Sequence, residues 1–226
     1  MKQTKKMEKK NTLNLVACAL ALALVAGCAT KGYDKGSAAS SKLQKAADRI
    51  AASETAVADC VSTLNDLATN AAPDMRPQFK QFEGAIKKLD SLSKSVGSDN
   101  ASMQAKSQAY FAKWDAELAQ IRNEDIRSRS EARRKEVTES FDKIKATYEK
   151  TRGNFEPFLS DLKDIQRALS VDLNRSGVEA VSRSIDNANR NADPLRQSLK
   201  TLSDEFRSLG VAISPTAPAA AVQPTS

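Results

Sequence analysis

The feature that bears hardest on this chain is a spacing. Val178, Val181, Ile185, Ala188, Ala192, Leu195, Leu199, Leu202, Phe206 and Leu209 follow one another at intervals that alternate three and four. An α-helix turns once in about 3.6 residues, so this alternation lays one apolar stripe along one helix face, whereas a strand needs a period of two. Three earlier segments repeat the pattern. Leu43, Ile50, Val57, Leu64 and Ala71 recur every seven residues, with Ala46, Ser53, Cys60 and Leu67 three after each of the first four. A second stripe holds Phe79, Phe82, Ile86, Leu89 and Val96, then Met103, Tyr110, Trp114 and Ile121; a third runs from Val137 and Phe141 to Leu169 and Leu173. A narrow stripe is buried only against another one. The expected fold is therefore all-α, an elongated antiparallel bundle of about four long coiled-coil-like helices, roughly 38–71, 77–121, 127–173 and 178–209.

The interruptions place the corners. Pro73-Asp74-Met75-Arg76-Pro77 ends the first helix and starts the second, because proline lacks the donor that continues a helix. Gly97-Ser98-Asp99-Asn100 has turn composition, yet the stripe keeps its phase across it, which favours one helix weakened at Gly97 over two. Between Ile121 and Ile126 the apolar spacing becomes five, and the charged run 122–136 reads as a corner, with a stutter in a continuous helix as the alternative. Gly153, Pro157 and Pro194 fall inside stripes that stay in phase, so kinks are expected there. Asn174-Arg175-Ser176-Gly177 reads as a helix stop, and Gly210 as the end of the last helix.

The front of the chain has a different character. Lys2, Lys5, Lys6, Lys9 and Lys10 precede an apolar run from Leu13 to Val25, and Leu24-Val25-Ala26-Gly27 stands before Cys28. The run is shorter than the roughly 20 residues of a membrane span. Charged start, short apolar run and small residues before a cut are the layout of a secretory signal. With the cysteine, the whole resembles a bacterial lipoprotein signal, which implies cleavage after residue 27 and lipid on Cys28. Ala29, where an aspartate would signal retention at the inner membrane, favours the periplasmic face of the outer membrane. Residues 1–27 are then a signal peptide, 28–40 a small and polar tether, 41–210 the bundle, and 211–226 a disordered tail rich in Pro and Ala.

Cleavage changes the charge argument. Five of the 35 basic residues and one of the 28 acidic ones lie in residues 1–27, so the net charge falls from +7 to +3. That argues against nucleic acid as a partner, because little basic excess survives. The chain has no histidine, which removes the usual general base and the commonest metal ligand. No Cys-x-x-Cys pair, calcium-loop spacing or glycine-rich phosphate loop occurs. The reading is a protein that is not an enzyme, with no catalytic residue, cofactor or metal.

Four features remain as candidates. Cys60 lies on a stripe and reads as a small buried apolar side chain, with a redox or cross-linking thiol as the alternative. Glu124-Asp125 and Asp161/Asp164 are paired carboxylates on what read as solvated helix faces. Tyr110, Phe111 and Trp114 form an aromatic cluster that reads as core, with a ligand or partner groove as the alternative. Arg127, Arg129, Arg133, Arg134 and Lys135 read as a solvated face, with contact to an anionic surface (phospholipid, lipopolysaccharide phosphate or peptidoglycan carboxylate) as the functional alternative.

Three motifs carry a resemblance: Gly32-Tyr33-x-Lys35, Phe111-x-x-Trp114-Asp115-x-Glu117-Leu118 and Pro157-x-Leu159-x-x-Leu162-x-Asp164. They resemble the uncharacterised bacterial lipoprotein family catalogued as "domain of unknown function 2959". The resemblance implies an all-helical envelope protein without an assigned activity, and no catalytic residue to carry over. Two functions follow as expectations. One is a lipid-anchored periplasmic scaffold or adaptor that binds another cell-envelope component through a helical face. The other is a carrier or sensor that binds an apolar ligand in the bundle. An exposed apolar stripe favours the first, and a pocket larger than a few hundred cubic ångströms favours the second.

Overall fold

The computed structural model describes residues 32–70 and 73–215. Cys28, the signal peptide and residues 216–226 of the expected tail lie outside them. Five helices follow in order: α1 (Gly32–Thr69), α2 (Arg76–Leu118), α3 (Glu124–Val171), α4 (Arg175–Ala180) and α5 (Ser182–Ala212). Among the described residues there is no strand. The four long helices form the expected bundle, and at 1.5 Å per residue α3, with 48 residues, spans about 70 Å.

α1 packs most extensively against α5, then against α2, while α5 also packs on α3. The seam between α2 and α3 is the thinnest of the four. Chain direction alternates, so one end of the bundle gathers the start of α1, the α2–α3 corner and the end of α5. The other end gathers Pro73–Pro77 and α4.

The α5 stripe is buried as its spacing predicts, from Ile185 and Ala188 through Leu195, Leu199, Leu202, Phe206 and Leu209. α1 departs from a single narrow seam. Ala47 and Ala56 lie off the stripe and are nonetheless fully buried, because α1 is covered on two sides, by α2 and by α5.

α2 is one helix through Gly97. A glycine inside a helix costs about 0.5–1 kcal/mol. Across this point Asp99 is ion-paired with Arg49 of α1, a part-exposed contact worth about as much, and Asn100 is buried.

Several boundaries differ from the sequence expectation. The stretch read as a tether over 28–40 is helical from Gly32 onward. Its small residues fit under the end of α5: Ser40 Oγ donates to the Gly210 carbonyl at 2.7 Å, and a Cβ on Gly36 would stand 3.1 Å from the Ile213 carbonyl oxygen. α2 ends at Leu118, so the corner covers only 119–123, and the basic residues 127–135 belong to the first turns of α3. Asn123 caps that helix, its side chain accepting from the Ile126 N–H at 3.1 Å.

Asn174–Gly177 begins a short helix rather than stopping one, since the Asn174 side chain accepts from the Gly177 N–H at 3.0 Å. A Cβ at Gly177 would lie 1.9 Å from the Asp172 carbonyl oxygen, so only glycine fits. Pro157 and Pro194 stand inside α3 and α5 without ending them. α5 continues two residues past Gly210.

Truncating a buried leucine to alanine costs about 2–5 kcal/mol. Leu199→Ala is therefore expected to lower the melting temperature clearly. Lys200→Ala, next to it but exposed and paired only with Asp204 at 2.8 Å, is expected to change it little. Equal losses in thermal denaturation would show that this face of α5 is not the seam.

Candidate functional site

The antiparallel pairing of α1 with α2 sets residues 38–49 opposite residues 99–117. α1 presents small or short side chains there, Ala38, Ala39 and Ala46 beside Leu43. α2 presents Met103, Tyr110 and Trp114, and Phe141 and Phe206 close the floor from α3 and α5. Between them lies a cleft of about 790 Å³, a size typical of small-molecule sites.

The cleft exists because α2 is packed unevenly. Phe82, Ile86 and Leu89 in its first half are fully covered. Val96, Met103 and Trp114 in its second half, on the same stripe, are only partly buried. The aromatic cluster, expected as core, thus belongs in good part to a groove wall.

Its rings are held in place. Tyr110 meets Phe111 and Trp114 edge-on, both with ring centroids 5.6 Å apart, and Phe111 meets Phe141 at 5.3 Å. The indole N–H of Trp114 donates to Ser130 Oγ at 3.2 Å. The Arg134 guanidinium lies over the Phe111 ring at 5.3 Å. Burial pushes the Tyr110 phenol above its ordinary range, against the opposing charge of Arg133.

The rim is basic. Lys42, Lys45, Arg49, Lys106 and Lys113 line the cleft, against the carboxylates of Asp99 and Glu117. Asp99 is taken by Arg49. Among the described residues the four lysines have no carboxylate within ion-pair distance. Lys42 and Lys106 face each other across the cleft closely enough that the Lys42 ammonium, first by direct contact and then by charge, lowers the pKa of Lys106.

The basic segment singled out in the sequence is different. Arg127 lies 2.5 and 2.6 Å from the two oxygens of Glu124, and Arg129 lies 3.1 Å from Asp125. Arg133 is bound to Glu136 at 2.8 Å and to the Ala212 carbonyl at 2.9 Å. Arg134 is bound to Asp115 at 2.7 Å, and Lys135 lies 3.9 Å from Glu139. A recess of about 400 Å³ at this corner is lined by these same paired charges.

The paired carboxylates serve locally as well. Glu124 and Asp125 sit in the first turn of α3, where the helix dipole favours negative charge, and Asp164 binds Arg167 at 2.9 Å. Cys60 is free and fully buried. Burial, then the Asp59 charge, push its thiol up to about 12, with Lys88 opposing. That is an inert thiol. Composition had pointed to the basic run at 127–135, which is mostly paired. The lysines that stand free at one place, Lys42 and Lys106, come from helices whose juxtaposition no local pattern reveals.

Fold and site together define an all-α helical bundle with an apolar cleft between two of its helices. The chain belongs to a family described as a protein of unknown function, DUF2959, which it matches over residues 26–207. Among curated proteins and among solved structures nothing matches it.

A chain from Ala29 to Ser226 keeps every described residue and a single cysteine, Cys60. In it the thiol is expected to resist a disulfide reagent at pH 8 and to react fully once the chain is unfolded. Because its pKa is raised in the fold, its contribution to stability is intact below about pH 9 and declines as pH rises toward 12, where only the unfolded chain ionises readily. Rapid labelling of the native chain would show that Cys60 is not buried.

Proposed function

We propose that this protein is a lipid-anchored binding module of the bacterial cell envelope, a carrier or sensor that holds an apolar ligand between α1 and α2. The observation that carries this reading is the cleft of about 790 Å³ with Leu43, Met103, Tyr110 and Trp114 on its walls. An apolar surface turned toward a cavity gains about 25 cal/mol per Å² when a ligand replaces water. No reaction is assigned to it; its role is to bind.

The scaffold or adaptor reading has less support. The exposed large apolar residues among those described are Ile126, Val171 and Val211. They stand at three separate places and form no stripe on which a helix would dock. Nor does the corner 127–135 offer much free positive charge, so in this reading orientation at a membrane comes from the lipid on Cys28. No helix among the described residues is long and apolar enough to cross a membrane.

Two experiments test the two halves of the proposal. The only tryptophan of the chain, Trp114, lines the cleft. Nile red, a neutral apolar dye, is expected to brighten in the presence of the 29–226 chain and to shift the emission of Trp114. Met103→Glu, which sets a charge on the wall, is expected to weaken the dye at least tenfold. Absence of any dye binding would remove the ligand reading. In cells, Cys28→Ser is expected to leave an uncut precursor of higher mass without lipid. Normal processing and membrane fractionation of that variant would remove the anchor.

A further inference from the structure

The cleft is long and its rim is basic. Its α2 wall, from Asp99 to Glu117, rises about 27 Å, and its α1 wall, from Ala38 to Arg49, about 16 Å. The hydrocarbon core of a bilayer is about 30 Å thick, so one acyl chain reaches about 15 Å. The α1 wall, and the part of the α2 wall from Lys106 to Glu117, about 16 Å, thus match a single extended chain in length.

The charge narrows the choice further. The chain holds 28 acidic residues, and the arginines and lysine of 127–135 all find one. Lys42 and Lys106, on two different helices, instead line the same cleft in contact with each other, and among the described residues neither has a carboxylate within ion-pair distance. Two like charges side by side repel, and an anion between them turns that repulsion into attraction on both sides. A carboxylate has two oxygens and each ammonium has donors to spare, so one carboxylate satisfies both lysines. The lysine stems are apolar and lie along the rim, so the charged head would sit in water while the chain beneath it is covered.

Resting on the reading of the cleft as an apolar site, we propose that its occupant is a long-chain fatty acid, its chain running from Leu43 along Tyr110 and Trp114 and its carboxylate bridging Lys42 and Lys106. The charge selects the head, and the length of the walls selects one chain.

The test compares palmitate, hexadecanol and hexadecyltrimethylammonium, which share a hydrocarbon chain and differ in the head. Each is titrated into the 29–226 chain with Trp114 emission and calorimetry as readouts. Palmitate is expected to bind about tenfold more tightly than hexadecanol at low salt, with the advantage shrinking as salt screens the rim. The double variant Lys42→Glu, Lys106→Glu alters exposed side chains only. It is expected to abolish the palmitate advantage, to favour the cationic amphiphile, and to leave hexadecanol within about twofold. Equal binding of palmitate and hexadecanol, or undiminished palmitate binding by the double variant, overturns the fatty-acid inference while the apolar cleft stands. Failure of all three amphiphiles together with Nile red overturns both.

Discussion

The close approach of α1 and α5 is the contact on which the rest of the bundle rests. It is made by small residues. Ala46, Ala47 and Ala56 on α1 are buried in the same core as Ala188 and Ala192 on α5, and a Cβ on Gly210 would already stand 3.3 Å from Leu43 Cβ. At that range serine hydroxyls reach the neighbouring backbone: Ser203 Oγ donates to the Ala47 carbonyl at 2.9 Å, and Ser40 Oγ to the Gly210 carbonyl at 2.7 Å. Further along, Asn65 and Asn189 exchange amide hydrogen bonds, both at 2.9 Å. Each such bond contributes about 0.5–1.5 kcal/mol, and a buried hydroxyl or amide left unpaired costs about 1–3. A slip of either helix by one turn would leave all of them unpaired. Leucine stripes alone permit several registers, and these polar contacts select one.

The same contact explains which parts of the structure the sequence made legible. The stripe from Ile185 to Leu209 is read correctly because large residues at strict spacing face a covered seam along its whole length. Ala47 and Ala56 escape notice because alanine off a stripe looks like surface, and it is buried here only because two partners flank α1. The front of α1 escapes for a related reason. Gly36, Ser37 and Ser40 have the composition of a tether, yet Gly36 and Ser40 are small because the end of α5 lies against them. At Asn174–Gly177 the residues carry turn chemistry but not its direction, since an asparagine followed by glycine serves either to stop a helix or to cap the next.

The cleft is a place where periodicity misleads. Met103, Tyr110 and Trp114 continue the phase of Phe82, Ile86 and Leu89, so a stripe drawn on the sequence treats both sets as core. Spacing reports which face a residue occupies; it says nothing of how near the facing helix comes. Beside Phe82 and Leu89, α1 supplies Val57, Cys60 and Leu64, and the space is filled. Opposite Met103 and Tyr110 it supplies Ala46, Ala39 and Ala38, because that part of α1 is shaped by its contact with α5. Side chains small enough for α5 are too small to fill the space toward α2. The cleft is thus a consequence of the α1–α5 approach, and it lies at the end of the bundle where that approach uses Ser40 and Gly210.

Its position has a mechanical consequence. The large, fully buried side chains Phe82, Leu89, Leu162, Ile165 and Leu169 sit toward the Pro73–Pro77 end, and they hold α2 and α3 there. Toward the other end Met103, Phe111 and Trp114 of α2 are only partly buried, and its last turns are joined to the bundle through the aromatic cluster, Leu118, the Trp114–Ser130 bond and the Arg134–Asp115 pair. Segments with few buried apolar contacts and exposed ion pairs open at lower free energy than the core. Under the proposed binding reading the second half of α2 would therefore be the wall that yields to a ligand, while α1 and α5 are locked by Ser40, Ser203 and Gly210. Under the lipoprotein reading this yielding end is also the anchored one. Cys28 precedes Gly32 by four residues, about 14 Å at full extension, and Lys42 lies about 15 Å further along α1. The mouth of the cleft would then stand within about 30 Å of the lipid, close enough that a chain leaving the membrane meets the loose wall of the bundle before its rigid end.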